Sequence, residues 1–493
     1  MAVANYVRGL EAPKLAPPAN LKTIRHHLRE NYFSSLGSGA LTIILGSFLV
    51  WLAWQIIGFA LLDAVWTGSN RDACIPADGT TGGACWPIIS QKFGQWIYGF
   101  YPVAERWRIN ICAVAFVAGL APMLTPTAPY KMANAIYLLV VFPLVAFVLL
   151  TGGNYNVLPG SYAGVICLAF WIAATLPLSV FGVDEGAKRN SLGLALAGAA
   201  VILWGSSFIA RTDITVFGIS FDSGFLSLAS GCVSLWVVLS NSVARRSKAF
   251  LIWALALATM LAAMLLLDID FGLVPVETAQ WGGLTVTLVV SITGIAASLP
   301  LGILLALGRQ SNLPAIRTMS IVFIEFVRGV PLITVLFMAS VMLPLFLPPG
   351  MNFDKLLRAL VGVALFSAAY MAEVVRGGLQ AVPKGQYEGA TALGLSYWQM
   401  MAKIILPQAL KISIPNIVGN FIVLFKDTTL VLIIGLFDLL AMAQTGLRDA
   451  AWATPVTAPT GYLAIALIYW AFCFSMSRYA IFTERRLHTG HKR

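Results

Sequence analysis

Residues 377–410, GGLQAVPKGQYEGATALGLSYWQMMAKIILPQAL, form a polar, amphipathic island in an otherwise apolar chain. Pro383 and Gly385 break whatever helix precedes them, and Gln386 to Leu393 can form one short helix. Gly394 ends it. Ser396, with Gln399 three residues later, is a capping box that opens a second helix by satisfying its first backbone donors. Pro407 is expected to interrupt that run. Tyr397, Trp398, Met400 and Met401 then sit on a short protruding helix, available to a partner's groove. An amphipathic connector lying on a membrane surface is the competing reading.

Outward from this island the chain is built for lipid. Of its 493 residues 59% are hydrophobic and only 11% charged, and the mean hydropathy is +0.82. Soluble domains carry about 25% charged residues, so a water-soluble fold is excluded. A net charge of +11 fits basic cytoplasmic loops facing anionic lipid. With no basic stripe interleaved with exposed aromatics, nucleic acid is not an expected partner.

Runs long enough to cross a bilayer at ~1.5 Å per residue occur at 37–62, 109–128, 132–151, 162–183, 191–210 and 224–243. Six more lie at 250–267, 284–308, 320–347, 356–378, 414–440 and 462–482. The expected fold is therefore an all-α polytopic membrane protein of about twelve transmembrane helices. The first run, about 26 residues, exceeds the 7–15 of a signal-peptide h-region and reads as an uncleaved span. With both termini cytoplasmic, most of the 32 Lys and Arg, including Arg245, Arg246, Lys248, Arg309, Arg317, Arg485 and Arg486, fall on the cytoplasmic side. The polar island falls there too, although its position took no part in the charge argument.

The longest external loop, 66–108, contains Cys74 and Cys85, with Pro76, Gly79, Gly82 and Gly83 between them. On the oxidising side of the membrane a disulfide closing this turn is expected; two free thiols are the alternative. Phe93, Trp96, Tyr98, Phe100, Tyr101 and Trp107 read as an interfacial aromatic belt. Cys112, Cys167, Cys232 and Cys473 lie in apolar runs and read as small buried hydrophobes.

Catalytic chemistry has little to stand on. There is no G-x-x-x-x-G-K-[ST] loop, no H-E-x-x-H and no Cys/His cluster at metal spacing; no catalytic residue and no metal ligand is assigned. Charges do enter the C-terminal spans, where each costs ~2.5–3.5 kcal/mol on translocon scales. Glu325 with Arg328, and Glu373 with Arg376, stand at i, i+3 and can satisfy themselves, anchoring helices near the inner interface. Lys426 and Asp427 are adjacent, so their side chains diverge by ~100° on a helix. Each must look to another helix, to water or to a ligand. Together with Thr428, Thr429, Asn420, Arg328 and Glu325 they are the substrate-path candidates; interhelical bonding is the competing role. Pro300, Pro331, Pro344 and Pro415 are expected to interrupt spans, which is tolerated where a helix lines water.

The spacing E-x-A-x-x-x-G-x9-I-x-L-P, met by Glu388, Ala390, Gly394, Ile404, Leu406 and Pro407, resembles the cytoplasmic loop of ABC importer permeases. EFVRGVPLITVLF, LPQALKISIPNIVGNFIVLFKDTTLVLIIG and the R-G-x-P-L and K-D-T-T-L runs narrow the resemblance to the polar amino-acid branch. It is nearest the general L-amino-acid permease subunit with extra N-terminal spans, and covers roughly 281–487. It implies an amino-acid importer subunit of the bacterial inner membrane working by alternating access, with a five-helix core at 277–487. An extension of about seven spans at 37–275 precedes the core, with a cytoplasmic segment at 1–36 and a tail at 488–493. The loop 379–412, through Gln386, Glu388, Ala390, Gly394, Tyr397, Trp398, Ile404, Leu406 and Pro407, would couple to an ATPase dimer that holds Mg-ATP; this chain would bind no cofactor. A periplasmic amino-acid-binding protein and a second homologous permease are the other implied partners. Gly389 departs from the family's second alanine, which would soften the first short helix by about 1 kcal/mol. An ion-coupled secondary transporter and a non-transporting membrane anchor are the rival functions.

Overall fold

The computed structural model describes residues 30–75, 82–153, 248–346 and 354–487, a strand pair at 214–216 and 219–221, and single positions 28, 169 and 198. The expected spans 162–183, 191–210 and 224–243, with Cys167 and Cys232, lie outside the described residues. Among the described residues seven helices are long and apolar enough to cross a membrane, or eight if one bent pair counts as a single span.

The chain forms two compact units. The first comprises Met1–Phe93 and Gln444–Ile468. Its helix α1, Leu36–Leu62, opens on a capping box between Ser35 and Ser38 and has no buried residue from Leu36 to Ile57, Ala60 alone being buried near its end. Cys74 and Cys85 are joined by a disulfide. Cys85 is fully buried, pairs with Val65 in a parallel bridge and donates its amide to Thr460 Oγ1 at 3.0 Å. Trp86 stacks on Trp66 and donates its indole N–H to the Ala60 carbonyl at 2.9 Å. The loop read as one external connection also holds α2, Pro87–Tyr98, an amphipathic helix.

The second unit, Gly94–Ala443 and Tyr469–Arg493, contains α3 (Val103–Leu124), α4 (Lys131–Thr151) and α5 (Lys248–Asp268). Next come α6 (Gly283–Arg309), α7 (Pro314–Gly329), α8 (Leu332–Phe337) and α9 (Lys355–Ala381). Trp96 and Tyr101, read from the sequence as interfacial, are instead buried here, Tyr101 donating to the Leu150 carbonyl at 2.9 Å.

Lipid tails are as apolar as leucine, so helices in a membrane associate by close backbone approach rather than by hiding leucine from water. On α6 the buried residues Gly294, Ser298, Gly302 and Ala306 recur every fourth position, and on α9 Ala364, Ala368 and Ala372 do the same. A Cβ at Gly302 would stand 2.7 Å from that of Met371, so glycine sets how near the two axes come. Gly378 plays that part between α9 and the next long helix, where a Cβ would collide with Ser413 and the Ala409 carbonyl.

Four sequence expectations change. The run 320–347 is not one straight span, because α7 and the segment Leu332–Met342 meet at 105°. Pro331 has no N–H to continue the ladder, and Val330 before it takes extended geometry. Pro300 and Pro415, by contrast, lie inside continuous helices. The run 414–440 becomes the longer helix α11, Tyr397–Ile434, which starts earlier and ends sooner. Pro407 does not interrupt it: a π turn at Met401–Ile405 immediately precedes, and Pro407 occupies the first turn of the following α segment, where an N–H is least missed. At the far end Thr428 and Thr429 bond back to the carbonyls of Phe425 and Lys426, the last turns tighten to 3-10 geometry, and Gly435 closes them at φ +76°.

Candidate functional site

The polar island folds as a hairpin of α10 (Lys384–Ala392) and the start of α11. Gly394 sits at φ +69°, the left-handed geometry glycine adopts without penalty. Its amide bonds the Thr391 carbonyl, that of Leu395 the Ala390 carbonyl, closing α10 as a helix C-terminus requires. The capping box forms, with the Ser396 amide donating to Gln399 Oε1 at 3.1 Å and the Gln399 amide to Ser396 Oγ at 3.4 Å.

The two faces of this hairpin differ. On the underside Ala390 is buried, and Met401 and Ile405 are buried in one core with Val375 and Leu379 of α9, against which Tyr387 and Ile404 pack. The Tyr387 hydroxyl donates to the Leu379 carbonyl at 3.2 Å, and burial, with Tyr397 near, pushes that phenol's pKa up. Gln408, unremarked in the sequence, donates to Gln386 Oε1 at 3.1 Å and to the Ile404 carbonyl at 2.8 Å, tying α10 to α11. The outer face is the reverse. Glu388 is exposed, and Leu393, Tyr397 and Trp398 are 76%, 43% and 67% exposed. Apolar groups of this size, rimmed by polar ones and held on a rigid base, suit docking on a protein or a membrane surface.

Behind the hairpin the charges do not all pair by i, i+3 spacing. Glu373 does bind Arg376, through Nε at 2.8 Å and Nη2 at 2.7 Å. Glu325 instead turns to Arg309 at 2.9 Å, and Arg328 faces Glu373 at 3.7 Å. Arg309 also reaches Glu373 at 2.8 Å. The result is one five-member cluster joining the ends of α6 and α7 to α9, with Glu373 as its hub. Helix packing overrode the local i, i+3 choice because Glu373, only 15% exposed, needs more than one donor. Arg309 was missed because it reads as an ordinary flanking charge at the end of a span.

A cavity of about 160 Å³ is lined by Ser298, Ser367, Tyr370, Asn420 and Asp427, with Phe366 and Phe421 beside them. Of the substrate-path candidates, Asn420 and Asp427 line it. Lys426 diverges from Asp427 and is exposed, while Thr428 is buried with its hydroxyl bonded to the Phe425 carbonyl. Arg328 reaches the cavity only through Tyr370, its guanidinium lying 5.6 Å from the ring centre. Glu325 stays in the charge cluster. Ser298, Ser367 and Tyr370 carried no sequence signal beyond polarity in an apolar span. Among the described residues no group of His, Cys, Asp and Glu could hold a metal ion.

Residues 298–489 match the family described as binding-protein-dependent transport system inner membrane components. Over 467 residues the chain is 41% identical to the inner membrane amino-acid ABC transporter permease protein YhdY of Escherichia coli K12, covering 94% of this chain and 93% of that one. The chain belongs to the amino-acid ABC transporter permeases. It is also 40% identical, end to end over both chains, to the glutamate/glutamine/aspartate/asparagine transport system permease protein BztC of Rhodobacter capsulatus. A crystal structure of an amino acid ABC transporter with histidines is 31% identical over 41% of this permease and 92% of that chain, with a TM-score of 0.37. As a member of this family the permease is an inner-membrane transport subunit. Its N-terminal half, on which the C-terminal match is silent, is shared by both full-length relatives.

Proposed function

We propose that this permease carries amino acids into the cytoplasm by alternating access, driven through the α10–α11 hairpin by a separate ATPase dimer. The single observation that carries this reading is the two-faced hairpin: its underside is fixed to α9 and α11, and its outer face offers Glu388, Leu393, Tyr397 and Trp398. A push on such an element moves whole helices, since the cores beneath are close-packed and shift as bodies. The chain itself binds no nucleotide; Mg-ATP sits on the ATPase, and no catalytic residue belongs to this subunit. A second, homologous permease completes the path, and a periplasmic amino-acid-binding protein delivers the cargo.

Asp427 and Asn420 offer acceptors for the ammonium group of a zwitterionic cargo within the cavity, next to the aromatic ring of Tyr370. Amino-acid cargo is supported by the two full-length relatives, whose names carry amino acids.

The test is Gly394→Trp in the assembled transporter. No neighbouring atom lies within 4 Å of a Cβ there, but φ +69° strains any side chain by ~1–2 kcal/mol. The variant inserts and the ATPase still hydrolyses ATP, yet uptake is lost. If uptake and ATPase activity both stay at the parental level, the hairpin is not the coupling element. Uptake that survives removal of the ATPase subunit would replace the reading with a secondary transporter.

A further inference from the structure

A second opening, which shares the Phe366 ring with the cargo cavity and no other lining residue, lies between α7, α8 and α9. It is about 570 Å³, walled by Phe326, Val335, Met338, Val361, Leu365 and Phe366. Phe326, Val361 and Leu365 are 65%, 51% and 40% exposed, so the groove is open along its length. One polar side chain stands at its end. Arg358, one turn into α9 from the Asp354 cap, is 9% exposed. Its Nη1 donates to the Ser340 carbonyl, its Nε has no partner, and among the described residues no carboxylate pairs with it.

A guanidinium buried among apolar groups without a counter-ion is costly, and it calls for an anion. The groove then dictates what the anion is attached to. From Arg358 to Phe366 the wall extends ~12 Å along the helix and is apolar throughout, which suits a hydrocarbon chain. A zwitterionic amino acid would meet no second polar group beyond the guanidinium. Free phosphate would leave the apolar wall uncovered. A phospholipid supplies both parts, and it is the solvent of this protein. We propose that this groove holds one acyl chain of a phospholipid whose headgroup phosphate is bound by Arg358.

The test uses the complete transporter purified in mild detergent, with retained phospholipid counted by mass spectrometry after detergent exchange. Three variants are compared with the parent: Arg358→Leu removes the charge, Arg358→Lys keeps it, and Gly362→Leu fills the groove. A Cβ at Gly362 meets nothing nearer than Ala339 at 3.7 Å, so a side chain can leave the backbone there without collision, and this variant tests the groove separately from the loss of Arg358. Expected is one lipid per permease chain in the parent, and a fall of about tenfold or more in both Arg358→Leu and Gly362→Leu, since one charge-assisted contact or the chain's seat is lost. Arg358→Lys retains part of it. No lipid in the parent, or equal retention in all variants, overturns the proposal. So does displacement of the lipid by inorganic phosphate alone, or cross-linking from Val361→Cys to a second permease subunit in place of lipid.

Discussion

Replacing Glu373 with Gln removes the charge on which three arginines converge while leaving shape and volume nearly unchanged. In the native cluster its Oε2 accepts from Arg376 Nε and Nη2 at 2.8 and 2.7 Å, its Oε1 accepts from Arg309 at 2.8 Å, and Arg328 stands 3.7 Å away. A hydrogen bond to a charged group contributes ~1.5–3 kcal/mol, and truncating one partner of a buried pair costs ~3–5 kcal/mol. Arg328 and Arg376 are about a third exposed and Arg309 about a quarter, so water screens part of the repulsion that follows. The net loss is therefore about 3 kcal/mol, at the lower edge of the buried range. Glu325 serves as the internal control. It is 53% exposed and among the described residues bonds Arg309 alone, so Glu325→Gln should cost ~0.2–1 kcal/mol, as exposed pairs do. Thermal unfolding of the purified transporter, followed by tryptophan fluorescence, should show Tm lowered by about 3 °C for Glu373→Gln, since ~2.1 cal/mol/K per residue makes the unfolding entropy of this chain ~1 kcal/mol/K, and by less than about 1 °C for Glu325→Gln. Equal shifts in the two variants would refute the hub assignment.

Other consequences are directly measurable. Gly378→Val should lose ~1–3 kcal/mol or more to overpacking, because its side chain would drive into Ser413 and the Ala409 carbonyl; the yield of folded protein after detergent extraction reports it. Cys74→Ser with Cys85→Ser should destabilise the first unit by about 2–4 kcal/mol, and the parent should show no free thiol at these positions by mass after alkylation. Lys92 bonds Asp449 at 2.5 Å and holds its carboxyl pKa below the usual carboxylate range, helped by the Ala451 amide. A pKa lowered by folding adds stability that is complete above the unfolded value, near 3.9, and is lost as pH falls through the lower folded one. Thermal stability should thus be insensitive to this pair from neutrality to about pH 5 and decline below about pH 4. Lys92→Met should remove that part of the decline; an unchanged acid profile would rule the pair out.

Much of this protein was legible as a string of letters. Hydropathy runs of spanning length, the bias of Lys and Arg, the Pro-Gly break, Gly394 and the Ser396–Gln399 box are local features, and local features act through chain geometry and solvent alone. They placed the membrane helices that are described and the hairpin with its ends. What adjacency could not reveal was which partner wins when several compete. The i, i+3 rule offered Arg328 to Glu325, yet packing of α6, α7 and α9 brought Arg309 within reach of both acids and made Glu373 the hub. Pro407 looked like a helix breaker, but the π turn before it absorbs the missing N–H. Trp96 and Tyr101 looked interfacial until tertiary packing buried them. The cavity beside Asp427 and the groove ending at Arg358 are likewise assembled from side chains tens of residues apart. Sequence alone determined which of the described segments are long and apolar enough to cross a bilayer, since that depends on transfer from water residue by residue. Only the tertiary structure decided how charges pair and where space is left, because both depend on the distances between helices, which small residues such as Gly302 and Gly378 set.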